Sequence, residues 1–118
     1  MEQIVISMIE MEQQLRIWHW QTKMFSRHSA YGATYGALGD LIDSFMEAYM
    51  GKYGRIKIAA PIQLENLDQQ AEQKLESYVE FLLSLSESLD VTADSDLLNI
   101  RDEMLALMNK LKYLLTLK

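Results

Sequence analysis

Apolar residues recur along this chain at steps of three and four. Ile4, Met8, Met11, Leu15 and Trp18 make the first stripe, a spacing that lines one face of an α-helix. It predicts a first helix over residues 2 to about 23. A second apolar set, Val5, Ile9 and Trp20, lies more than a quarter-turn round, with Ile6 and Ile17 further on. That is more apolar surface than one bundle core requires, and it points to a second buried face against another subunit. Residues 24–29, MFSRHS, break the pattern and read as a loop, with Ser29 placed to cap the second helix. That helix is expected from about Ala30 to Tyr53, with Tyr31, Tyr35, Leu38, Ile42, Phe45, Met46 and Tyr49 facing the core. Its opposite face carries Gly32, Gly36 and Gly39, then Asp43 and Glu47. A glycine inside a helix costs about 0.5–1 kcal/mol relative to alanine. Three on one face therefore predict the close approach of another backbone, with the two carboxylates beside it and turned away from the subunit's own core.

Gly51 and Gly54 end the second helix. Residues 55 to about 66, RIKIAAPIQLEN, hold the only proline and alternate at Ile56 and Ile58. The segment is too long for a tight turn and too apolar for a free linker, so it reads as an ordered crossover along a bundle. Asn66 with Gln69 has the form of a capping box and opens a third helix over about 67–90, with Ala71, Leu75, Tyr78, Leu82, Leu85 and Leu89 as its stripe. Residues 91–94, VTAD, are a turn with Asp94 as a cap. A fourth helix over about 95–117 comes next, striped by Leu97, Ile100, Met104, Leu107, Leu111 and Leu114. The expected fold is all-α: one domain over residues 1–118, a ferritin-like four-helix bundle with the long crossover between the second and third helices.

Composition narrows the chemistry. Apolar residues make up 49% of the 118, enough for a sizeable core. Cys is absent, so any metal must be held by nitrogen and oxygen. A net charge of −6 with no clustered Lys or Arg argues against nucleic acid, whose binding is dominated by phosphate neutralisation. No apolar run reaches the roughly 18 residues that a membrane span needs. The acidic start, MEQIVISMIEMEQQ, has no signal-peptide form, and a cytoplasmic location is the expectation.

The remaining chemistry is concentrated between Trp18 and Glu47. Both histidines, His19 and His28, lie there, and Asp43 and Glu47 close the stretch four residues apart. Imidazole and carboxylate are natural ligands for Fe(II), Mn(II) or Zn(II), and the i, i+4 spacing projects both carboxylates from one helix face. Glu-x-x-His occurs nowhere, which argues against a di-iron site inside the bundle. No Cys nucleophile, phosphate-cradling loop or Ser-His-carboxylate order supports a hydrolase.

The order of these residues resembles the Dps family, small ferritin-like iron-binding proteins that assemble into dodecameric shells. The resemblance rests on His19-Trp20 at the end of the first helix, Phe25 three residues before His28, the aromatics Tyr31 and Tyr35, and Asp43 with Glu47. It covers about a third of the chain and suggests a small, truncated or phage-type member in the cytoplasm of an infected host. It implies a ferroxidase site in a two-fold interface, with His19 and His28 from one subunit facing Asp43 and Glu47 of the other and iron (Fe2+/Fe3+) as the ligand, Mn or Zn being alternatives. The expected assembly is a homodimer or a larger, cage-like oligomer. The chain departs from that pattern in a shorter loop between the histidines, in Arg27, and in lacking a Lys-rich tail. The shorter loop and the small size of the chain favour the alternative reading: a helical interaction module with a degenerate site and no catalysis.

Overall fold

The structure is a computed structural model that describes residues 1–118. It contains four helices, α1 (Glu2–Gln21), α2 (Phe25–Tyr53), α3 (Ala71–Ser88) and α4 (Ser95–Leu114), and no strand. The fold is the expected four-helix bundle with a long crossover between the second and third helices. Its core is built from the predicted stripes: Met8, Met11, Leu15 and Trp18 of α1 meet Tyr31, Leu38 and Phe45 of α2, Leu75, Leu82 and Leu85 of α3, and Leu97, Met104 and Leu111 of α4, with Met108 beside them.

The crossover sets the direction of the helices. The Gln63 N–H donates to Glu10 Oε1 at 3.2 Å, the Glu65 N–H to Gln14 Oε1 at 2.8 Å and the Leu67 N–H to Gln21 Oε1 at 2.7 Å. The segment therefore climbs alongside α1 in the same sense. α2 and α3 consequently run in the same direction, and short turns make α1–α2 and α3–α4 antiparallel. Gln14 is the central clasp. It is fully buried, and its amide both accepts from the Glu65 N–H and donates to the Glu65 carbonyl at 2.8 Å. A buried amide is tolerated because both of its polar ends are satisfied. The crossover side of α1 also accounts for part of the surplus apolar surface: Ile6 and Ile17 flank the Glu10–Gln14–Gln21 side in helical projection, and Ile6 is buried.

Several element ends differ from expectation. α2 begins at Phe25, not Ala30. The connection is only Thr22–Met24, with an extended Thr22 ending α1 and an extended Met24 opening α2. Phe25 breaks the apolar pattern because it points outward, 82% exposed, and not because the helix stops; Ser29 lies inside the helix and caps nothing. Asn66 and Gln69 form no capping box. The Gln21 amide donates to the Asn66 side chain at 2.8 Å, and α3 starts at Ala71 without a side-chain cap. Asp94 occupies the N-cap position of α4 but does not cap it. Its carboxylate is taken by the Tyr53 hydroxyl and by the Asp90 N–H at 2.9 Å, and Lys52 bridges to Asp96 at 2.6 Å. This network clamps the end of α2 to the α3–α4 turn.

Candidate metal centre

The short Thr22–Met24 turn brings the end of α1 against the first turns of α2, and the two histidines meet there. Their rings stack with centroids 3.8 Å apart and planes 19° from parallel. His19 Nδ1 lies 2.6 Å from the His28 carbonyl oxygen, and His28 Nδ1 lies 2.9 Å from the His19 carbonyl oxygen. A carbonyl only accepts, so each Nδ1 carries the proton and donates. In a neutral imidazole so held the lone pair lies on Nε2, the arrangement in which an outer hydrogen bond orients a metal-binding ring.

Small residues on α2 make room for this edge of α1. A Cβ added to Gly32 would stand 2.8 Å from His19 Cε1, and one added to Gly39 would stand 3.0 Å from Glu12 Oε1. The expectation that the whole glycine face meets another backbone is thus corrected: two of its three glycines accommodate side chains of the chain's own α1. Gly36 has nothing within 4 Å. Between these points Tyr35 turns its ring edge to His19 at 5.4 Å, and Arg16 lies 4.6 Å over the Tyr35 ring. Arg16 also pairs with Glu12 at 3.8 Å. Partial burial pushes the Glu12 carboxyl up; Arg16 opposes this and Asp43 adds to it. Glu12 is a member of this polar edge that donor chemistry alone did not single out. Its signal was the 12, 16, 19 spacing, which places Glu12, Arg16 and His19 on one side of α1.

Asp43 and Glu47 are exposed on the outward face of α2. Asp43 lies 15 residues beyond His28, which at 1.5 Å per residue is roughly 22 Å along the helix. One subunit therefore brings the two histidines together but leaves the two carboxylates apart from them, and no group of three or more His, Asp or Glu within the chain could hold an ion. Trp20 (66%) and Phe25 (82%) are exposed near the histidines, whereas Val5 and Ile6 are buried within the chain, so only part of the surplus apolar surface of the first helix reaches solvent.

Comparison with known proteins corrects the Dps resemblance. The chain matches a family described as a family of unknown function, DUF5856, over residues 19–115. That match takes in α2, α3 and α4 whole but only the last residues of α1, and no Dps or ferritin-like family accompanies it. The resemblance rested on a few positions in the α1–α2 hairpin, where amphipathic helices readily place His, aromatic and acidic residues at helical spacings. Over 37 residues the chain is 49% identical to the "Uncharacterized 14.6 kDa protein in mobD-ri intergenic region" of Enterobacteria phage T4, a stretch that is 31% of this chain and 29% of that protein. Less than a third of that relative's length is therefore matched. No solved structure matches. No helix is long and apolar enough to cross a membrane. With three of the four helices and well over half of the chain inside the matched region, the chain belongs to DUF5856.

Proposed function

We propose that this protein binds a divalent transition metal, iron first, between two copies of itself, with His19 and His28 of one copy facing Asp43 and Glu47 of the other. The observation that supports the reading is the reciprocal hydrogen bonding of the stacked histidine pair, in which both Nδ1 atoms are engaged and the Nε2 atoms are not. Two imidazoles and two carboxylates suit Fe(II), with Mn(II) and Zn(II) as weaker candidates. The distribution of the four residues suits a two-fold interface, in which residue i meets j and j meets i. Setting α2 antiparallel to its copy with His28 opposite Asp43 puts the axis beside Gly36, the open glycine. An ion so held keeps coordination positions free for an oxidant such as dioxygen or peroxide, and Fe(II) oxidation is the activity we propose. The setting we propose is the cytoplasm of a phage-infected bacterium.

Anaerobic Fe(II) titration of the apoprotein, following Trp fluorescence and subunit mass together, tests this. Saturable quenching in a dimer or larger species is expected, because Trp20 adjoins His19. His28→Ala and Asp43→Ala should each abolish binding with helicity unchanged, and Gly36→Leu should abolish binding and dimer together. Binding retained in both ligand variants would sink the proposal. A second reading is favoured by the absence of three donors in any one subunit and by the exposure of Trp20 and Phe25. The outward face would then be a metal-independent contact surface. A flat titration with dimer mass retained would select it.

A further inference from the structure

Residues 55–66 run without helix or turn along the flank of α1. Gln63, Glu65 and Leu67 direct their N–H groups inward to α1 side chains. Successive residues of an extended chain point their N–H and C=O groups to opposite sides. Gln63, Glu65 and Leu67 thus face α1 and Leu64 presents its groups away from it; the same alternation carried back along the segment puts Ile62, Ala60 and Ile58 on that outer side. The N–H groups of those even positions have no partner within the chain. Ile58, Ile62 and Leu64 are 40%, 38% and 39% exposed. The crossover therefore offers unpaired backbone groups beside apolar side chains, and such an edge pairs with another chain unless something blunts it. Pro61 does not blunt it, because at an odd position its missing N–H belongs to the α1 side.

The charges select the occupant. Arg55 and Lys57 stand at the start of the segment, and Glu65 and Asp68 at its end. A strand with a basic first half and an acidic second half complements itself only in the antiparallel sense. We propose that the crossover is a self-association surface. Residues 57–65 of two copies pair antiparallel about a two-fold axis at Pro61, with Lys57 opposite Glu65 of the second copy and Ile58 opposite its Leu64. This does not depend on the metal reading, since the crossover and α2 lie against different sides of α1. Two distinct two-fold interfaces on one chain join dimers into a larger assembly.

The chain has no cysteine, so a single introduced one reports the interface directly. In Pro61→Cys the two thiols face each other across the axis, at a Cα separation of about 4.5–5.5 Å that a disulfide can bridge. Mild oxidation should convert Pro61→Cys to a covalent dimer at least tenfold faster than Val91→Cys, an exposed control in the α3–α4 turn. The cross-link should persist in a Gly36→Leu background, which removes only the α2 interface. Lys57→Glu and Glu65→Lys should each slow cross-linking, and the double exchange should restore it. Equal rates for positions 61 and 91, or a double exchange no faster than the single variants, would overturn the proposal.

Discussion

Identical substitutions four residues apart in α2 should have opposite effects. Gly36→Ala adds a methyl group where nothing lies within 4 Å. It removes the glycine penalty of a helix interior and should stabilise the monomer by about 0.5–1 kcal/mol, raising Tm by about 2–5 °C for a chain of this size. Gly32→Ala gains the same helical preference, but its Cβ meets His19 Cε1 at 2.8 Å and Nδ1 at 3.0 Å. The ring must move. It then gives up its hydrogen bond to the His28 carbonyl, about 1 kcal/mol, and its stacking, about 0.5–1.5 kcal/mol. The net change is a loss of about 1 kcal/mol, so the two variants should differ by about 2 kcal/mol. Urea unfolding followed by circular dichroism, at concentrations where the chain is monomeric, measures both. Equal stabilisation by the two alanines would refute the packing argument, since it would mean that the His19 ring does not rest on Gly32.

Gln14→Leu removes two hydrogen bonds that hold the crossover to α1. At about 0.5–1.5 kcal/mol each, the loss should be about 1–3 kcal/mol, with faster hydrogen exchange at the Glu65 amide; unchanged exchange would show that the clasp contributes nothing. Gly39→Ala should be nearly neutral despite its 3.0 Å contact, because the flexible Glu12 side chain can swing away; a melting temperature well below wild type would refute this. Acid should weaken the clamp at the foot of α2. The Tyr53 hydroxyl, then the Asp90 N–H and Lys52, hold the Asp94 carboxyl below its ordinary value of 3.8. A depressed carboxyl contributes stability above that ordinary value and loses it as pH falls through the folded one. Stability measured from pH 6 downward should thus decline more steeply below about pH 4 in wild type than in Asp94→Asn. Parallel profiles would remove Asp94 from the acid response.

The class of fold was legible because four apolar stripes at helical spacing leave few other ways to bury them. The central proline-bearing segment likewise declared a crossover by its length and apolar content. Local rules failed where a tertiary partner competed for the same atoms. Asn66 and Asp94 look like caps, yet the Gln21 amide takes the first and Tyr53 with Asp90 takes the second. Phe25 looks like the end of a pattern, yet α2 begins there with the ring in solvent. The same limit governs the candidate site. His19, His28, Asp43 and Glu47 could be chosen from the sequence by donor chemistry alone. Spacing could not reveal that the histidines stack with both Nδ1 groups occupied, nor that Gly32 and Gly39 serve α1 while Gly36 stays open. Those outcomes depend on where the three-residue turn sets one helix against another, and periodicity within a single helix carries no information about that placement.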